Sequence, residues 1–576
     1  MRRWRGSRVV HEIAPDEIFL DSSNLPGHES SQFEGRVAKP LSRRAIISVG
    51  LAFLLVALVF AGRAFSLQVV RGSQLADASR FNTLSRTIVF SLRGVIYDRT
   101  GRELSWNEPQ KQSVADTAST TDSGEAASIY ALRRYASAPG LSHVLGFVQY
   151  PKADLQGNWW RTEYTPISGA ELAFNETLSG VNGSTMVERD AHGNIEREDI
   201  VARPEDGEPL TLSIDAEVQS KLYEVLFAHA QAQGFDGGAA VIMDVRTGEL
   251  LALTSFPEYH NQAFTDGDAS IVRRETSDNS TPLLDRAVAG LYTPGSIVKP
   301  IFAAAALNEG IISPDKDIVS TGAISIPNPY DPDNPTLFRD WTVHGPVNMR
   351  EAIAVSSDEY FYTIGGGYEG QQGLGIARLD EYAKLFGLGE PTGIELSGEQ
   401  SGVIPTPQWK ALTFGEDDPW RIGNTYHTAI GQYGFQITPI QAAAFASAIA
   451  NGGRLLTPQL IASSTPRFKD VGVPDKYLQI VREGMRLAVT SNRSDATVKF
   501  FNISGIELAA KTGTAQLGLH NEWMNSWSIG FWPASDPKYA YAVVLEHAPE
   551  GTLSGAAPGM LPFFHWLIAN HPEYVK

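Results

Sequence analysis

The chain has 576 residues, 43% apolar and 19% charged, an ordinary globular composition that excludes a small stapled scaffold and leaves room for several cores. Lys and Arg total 47 against 65 Asp and Glu, and the net charge of -18 argues against nucleic acid as a partner, because phosphate binding needs a basic footprint. Cysteine is absent, which excludes disulfides, thiolate metal sites and thiol catalysis together and leaves the redox compartment open.

Residues 1–44 mix basic and acidic side chains with few large apolar ones, and read as a mobile cytoplasmic tail. Within it, EIAPDEIFLDSSNLP suits a solvated linker or a docking segment. Residues 45–61, AIISVGLAFLLVALVFA, carry no charge and rise about 25 Å as a helix. Continuing to residue 67 with Arg63 snorkelling gives one transmembrane helix over 45–67. The alternative is a cleaved signal peptide, since Val59-Phe60-Ala61 resembles a cleavage site, but here a long polar segment precedes the apolar run. Arg36, Lys39, Arg43 and Arg44 before the span outnumber Arg71 and Arg80 after it, which predicts a single-pass cell-membrane protein with a cytoplasmic N-terminus and an extracytoplasmic bulk.

Residues 68–214 break into short apolar stretches punctuated by Gly, Asn and Asp, as in SLRGVIYDRTGRELSW, and predict a β-rich domain. Residues 114–128 read as a flexible loop, and the paired Trp159 and Trp160 as packing or a partner contact. A second domain over 215–576 opens with Asp215 as an N-cap before AEVQSKLYEVLFAHAQAQ, whose Val218, Leu222, Val225 and Leu226 recur at helical spacing. GGAAVIMDVRTGELLALTSF follows as a hairpin with glycine at its turn. Helices are predicted after Pro294 and around 349–364, 437–451 and 475–490. Three strands, IELAAKTGTAQ, NSWSIGFW and YAYAVVLEHA, then precede a helix over about 558–570. The fold class is α+β, with a central antiparallel sheet flanked by helices.

Ser296-Ile297-Val298-Lys299 follows Thr293-Pro294-Gly295, so the serine is placed to start a helix with the lysine one turn on along the same face. A serine hydroxyl needs a neighbouring base before it can attack, and a lysine serves when burial and nearby cations lower its pKa. Alone, the tetrapeptide also fits a helix surface. About sixty residues on stands Ser356-Ser357-Asp358, and Lys511-Thr512-Gly513-Thr514 ends an apolar strand. The ordered trio is the signature of penicillin-binding proteins and class A β-lactamases. No His-Glu-x-x-His or glycine-rich phosphate loop is present, and the scattered histidines read as surface or core residues.

On these motifs the chain resembles the class B penicillin-binding proteins, membrane-anchored D,D-transpeptidases, and is most similar to their elongation-type penicillin-binding protein 2 group. The likeness extends through RGVIYDRTGREL, GAELAFNETLSGVNG with the later ERDAHG, DGEPLTLSIDAEVQ, PLLDRAVAGLYTPGSIVKP and TPIQAAAFASAIANGG. It implies a non-catalytic pedestal, of the penicillin-binding protein dimerisation type, over 68–214 and a serine β-lactamase-like transpeptidase domain over 215–576. It further implies that Ser296 is acylated with Lys299 as its base, and that Ser356 relays a proton while Lys511 supplies positive potential. The backbone N–H groups of Ser296 and Thr514 would form the oxyanion hole, with Thr512, Gly513 and Thr514 binding substrate.

The resemblance implies acyl transfer between D-Ala-D-Ala stem peptides of peptidoglycan, inhibition by β-lactams, and neither metal nor organic cofactor. The implied partners are the membrane, a polytopic glycan polymerase and elongation scaffold proteins. A hydrolase of the same fold and a non-catalytic activator of the polymerase are the rival readings. Two departures stand out. Asp358 occupies a position where Asn is commoner, so it is either protonated or paired with a cation. Ile430-Gly431-Gln432-Tyr433-Gly434 replaces a more usual Gly-Gln-Gly, which puts that loop's geometry in doubt.

Overall fold

The computed structural model describes residues 42–76, 84–109, 130–155, 158–189, 195–328, 331 and 333–576. The tail expected up to residue 44 therefore lies almost wholly outside the described residues, as does the loop expected over 114–128. The chain divides into two compact units, residues 1–85 with 188–190, and residues 86–187 with 191–576.

In the first unit, α1 (Arg43–Phe65) begins where the Ser42 hydroxyl accepts a hydrogen bond from the Ala45 amide at 3.2 Å. None of its residues is buried, and Phe53 and Phe60 are 73% and 70% exposed. Between Arg44 and Arg63 the helix is uncharged and apolar on every side, and such a stretch covered by no protein is what the hydrocarbon core of a bilayer accommodates. With the π-turn Ser66–Val70 it forms a helix long and apolar enough to cross a membrane.

The second unit starts with a four-stranded sheet of β1 (Ile96–Tyr97), β2 (Glu103–Glu108), β3 (Leu132–Tyr135) and β4 (Leu210–Thr211), in the order β4-β1-β2-β3. Beside it Glu171 is fully buried between two guanidiniums, Arg133 Nε at 2.7 Å and Arg93 Nε at 2.5 Å. Burial alone would raise this carboxyl, but Arg133 and Arg93 hold it below the ordinary glutamate value. Of the paired tryptophans, Trp159 packs edge-on against Phe90, while Trp160 is 60% exposed between Arg161 and Lys152.

Beyond β4, the Asp215 carboxylate caps α2 (Ala216–Gln233) by accepting from the Glu217 and Val218 amides. The central sheet contains β5 (Gly237–Asp244), β6 (Leu250–Phe256), β7 (Ala509–Leu517), β8 (Trp523–Trp532) and β9 (Tyr539–Pro549). Its order is β6-β5-β9-β8-β7, antiparallel throughout, so β7 lies at an edge. Every residue of β5 and β6 is buried, which explains why both read as continuous apolar runs.

Alternation sends Ala240 and Ile242 into a core with Leu222 and Leu226 of α2 and with Phe563 and Phe564 of α8 (Ala556–Asn570). Ala239, Val241 and Met243 face the other way, into a core with α3 (Lys299–Asn308), α4 (Met349–Val355) and α6 (Pro439–Ala450). The sheet is thus flanked on both faces. The helix expected over 349–364 is in fact two, α4 and α5 (Asp358–Gly366), because Ser356 takes φ 60° and ψ 36° and turns the chain. The expected helix over 475–490 is α7 (Asp475–Thr490).

Candidate active site

Ser296 does not begin the α-helix itself. It lies in a 3₁₀ turn, Gly295–Val298, and α3 starts at Lys299. The tight turn depends on two glycines. Gly295 has φ 56°, and a Cβ there would stand 2.6 Å from the Thr514 carbonyl oxygen. Gly431 has φ 75°, accepts a hydrogen bond from the Gly295 amide at 3.0 Å, and a Cβ would stand 2.2 Å from the Gly295 oxygen. The turn that bears Ser296 is therefore clamped between β7 and the loop after residue 429. A Cβ on Gly513 would likewise meet the Pro294 oxygen at 2.7 Å, so the glycine of the Lys-Thr-Gly motif admits that turn.

Ser356 is where the three motifs meet. Its Oγ accepts from Lys511 Nζ at 2.7 Å and from Lys299 Nζ at 3.4 Å. Lys299 Nζ also donates to the Ser356 carbonyl at 2.7 Å and to Asp358 Oδ1 at 2.6 Å, while Lys511 Nζ donates to the Thr512 carbonyl at 2.8 Å. Both lysines are fully buried. Burial, reinforced by the charge of Lys299 and opposed by Asp358, pushes Lys511 well below the ordinary lysine value. Burial raises Asp358, against the pull of Lys299. Of the two alternatives left open for Asp358, pairing with a cation is the one the geometry favours, and the cation is Lys299.

The structure thus brings together Ser296, Lys299, Ser356, Asp358, Lys511, Gly513 and the backbone of Thr514. Thr512 is half-buried and Thr514 exposed on the opposite face of β7 from Lys511. Lys299 departs from expectation in one respect: its donors go to Ser356 and Asp358, and among the described residues Ser296 Oγ forms no hydrogen bond with it. In the Gly-Gln-Tyr-Gly loop Tyr433 itself adopts φ 63°, with its ring edge-on to Trp409 and Trp420.

Sequence reasoning missed Asp340, His344 and Asp495, which stand behind the Ser356 turn. No motif spacing marks them; only the i,i+4 separation of Asp340 and His344 is local. His427 was missed as well. Burial lowers it, with the Asp358 charge opposing, and its ring packs against Phe338.

The penicillin-binding protein transpeptidase domain family matches residues 238–562, and the penicillin-binding protein dimerisation domain matches 124–212. The chain belongs to the penicillin-binding protein transpeptidase family. This member is 28% identical to the peptidoglycan D,D-transpeptidase MrdA of Escherichia coli K12 over 89% of its own length and 92% of that protein. It superposes with a TM-score of 0.67 on the Helicobacter pylori penicillin-binding protein PBP2 solved in complex with MreC, at 27% identity, covering 84% of this chain and 99% of that one. A chain from a peptidoglycan synthase complex coordinating polymerization and crosslinking matches with a TM-score of 0.68 and 26% identity, over 93% of this chain and 99% of that chain.

Proposed function

We infer that this family member carries out the reaction of its curated relatives: it is a peptidoglycan D,D-transpeptidase, acting through a serine acyl-enzyme and open to acylation by β-lactams. The observation that carries this reading is the convergence of Lys299 and Lys511, from motifs 212 residues apart in number, on the single hydroxyl of Ser356 beside the Ser296 turn.

In the proposed cycle Ser296 Oγ attacks the carbonyl of the penultimate D-Ala. The Lys299 ammonium first gives a proton to the Asp358 carboxylate, the free amine then takes the proton of Ser296, and the backbone N–H groups of Ser296 and Thr514 stabilise the oxyanion. The C–N bond to the terminal D-Ala breaks, and its nitrogen takes a proton through Ser356, which Lys511 replenishes. An amine of a neighbouring stem then attacks the ester, loses a proton by the reverse route, and leaves an amide cross-link with Ser296 restored. Lys511 also supplies positive potential for the substrate carboxylate, which the Thr512 and Thr514 hydroxyls hold on the face of β7 away from the lysine. An edge strand such as β7 lets an extended stem add alongside it.

The same reading assigns residues 1–44 to a cytoplasmic tail, 45–67 to the membrane span, 68–214 to the pedestal and 215–576 to catalysis. The span is supported by α1, and the division near 214 by α2, which starts directly after β4 has returned to the first sheet. The positive charges before the span support an inside N-terminus. Partners of two kinds are proposed, a scaffold protein at the pedestal and a glycan polymerase beside the span. The likeness to a PBP2 found with MreC and to a chain of a peptidoglycan synthase complex supports them.

The test is intact-mass analysis after incubation with a labelled penicillin, followed by peptide mapping. One adduct at Ser296, lost in Ser296→Ala, is expected. A folded protein that takes no label, or takes it elsewhere, overturns the assignment.

A further inference from the structure

Behind the Ser356 turn lies a second set of charged groups, with the Asp340 and His344 side chains buried and those of Asp495 and Arg493 partly exposed, and nothing in the acyl-transfer cycle uses it. Asp340 Oδ2 accepts from the Ser357 hydroxyl at 2.7 Å and from the Glu359 amide at 2.9 Å, while Oδ1 accepts from the Trp341 amide at 2.8 Å. Ser357 in turn caps α5 by accepting from the Tyr360 amide. Asp340 therefore holds the residues on either side of Asp358.

The His344 side chain has no solvent exposure. Its Nε2 lies 3.4 Å from Asp340 Oδ1, in ion-pair range though without a hydrogen bond, and its Nδ1 lies 2.7 Å from Asp495 Oδ2. Arg493 closes the set, donating to both oxygens of Asp495 and to the His344 carbonyl at 2.8 Å. The Trp341 ring lies edge-on to the imidazole and anchors its Nε1 on the Val355 carbonyl, immediately before Ser356.

These residues come from three parts of the chain. Asp340 and His344 lie in the segment before α4, Ser357 begins α5, and Arg493 and Asp495 lie between α7 and the strand that carries Lys511. A left-handed, non-glycine Ser356 costs about 1–3 kcal/mol and persists only where its surroundings determine it. Asp340, Trp341, His344 and Asp495 supply that surrounding frame, and it ends on the motif whose hydroxyl both lysines share.

We propose that His344, bridging Asp340 and Asp495, is a positioning residue for acyl transfer: it fixes the Ser356–Asp358 turn from behind and so sets the geometry of the hydroxyl between Lys299 and Lys511. This rests on the reading of the site given above. An imidazolium between two carboxylates binds both; a neutral ring binds at most one as donor. Burial would lower His344, but the hydrogen bonds and charges of Asp340 and Asp495 raise it above the ordinary histidine value. The frame is therefore complete below that ordinary value and loosens as pH rises through the raised one. The other charged groups around it are Arg493, Lys299 and Asp358, with Glu351 acting on Arg493 and Glu359 tied to Thr321 and Gly322.

The experiment measures the second-order rate of acylation by a fluorescent penicillin against pH, on the full chain in detergent, for the unmodified protein, His344→Ala, His344→Gln and Asp495→Asn. Expected are a fall of about ten- to a hundredfold in His344→Ala and partial rescue in His344→Gln, whose amide can still donate to Asp495. An alkaline limb above the ordinary histidine value should vanish in His344→Gln and move to lower pH in Asp495→Asn. Should His344→Ala fail to fold, Asp495→Asn decides. Variants with the unmodified rate, or a slower rate with an unshifted pH profile, overturn the inference alone. An unmodified protein that takes no label at Ser296 overturns the acyl-transfer reading and the inference with it.

Discussion

Lys299 Nζ lies 2.6 Å from Asp358 Oδ1, so the lysine nearest in sequence to Ser296 is held in an ion pair rather than poised as a free amine. Its charged partner is thus a residue from the second motif. Asp358→Asn removes the carboxylate and keeps the shape. Asp358 is raised by burial, so its charged form is disfavoured in the fold and the pairing with Lys299 is lost as pH falls through that raised value. The acid limb of the acylation profile should lie above the ordinary aspartate range and disappear in Asp358→Asn. Stopped-flow acylation across pH measures it, and an unchanged acid limb removes Asp358 from the pH response.

Lys511 illustrates a conflict between stability and activity. Buried beside another lysine, it is pushed well below its ordinary value, so the unfolded chain binds that proton more readily. The stability it contributes is full only above the ordinary lysine value and is lost as pH falls through the lowered one. Lys511→Met should therefore raise the melting temperature at neutral pH while reducing acylation by about a hundredfold or more. Calorimetry together with penicillin labelling checks both halves.

The clamp on the Ser296 turn is steric. Gly431→Ala would put a methyl group into the Gly295 carbonyl at a φ of 75°. A loss of about 1–3 kcal/mol in stability should accompany a fall in acylation rate of about a hundredfold, because the nucleophile turn itself must move. Denaturant unfolding and the acylation rate of the same preparation separate the two effects.

Glu171 is the stability test away from the site. Removing its charge leaves Arg93 and Arg133 buried without a counterion, so Glu171→Gln should cost about 3–5 kcal/mol. Since the two arginines hold its folded value down, the contribution is present above the ordinary glutamate value and fades as pH falls through the depressed one. Unfolding free energy measured against pH should lose this acid dependence in the variant.

The sequence by itself determined the elements that local patterns encode, and it singled out the candidate site residues. The span in α1, the β5–β6 hairpin, the three strands β7 to β9 and the Asp215 cap each follow from periodicity or capping within a few residues. Ser296, Lys299, Ser356, Asp358 and Lys511 were legible because each belongs to a short motif in a fixed order. Only the tertiary structure decided which lysine pairs with which oxygen, that Ser356 breaks a predicted helix, and that Asp340, His344 and Asp495 frame it from behind. The physical reason is that a hydrogen bond between residues about 150 positions apart depends on how sheets and helices pack, and burial, which moves Lys511 and Asp358 from their ordinary values, is a property of that packing rather than of any local stretch of chain.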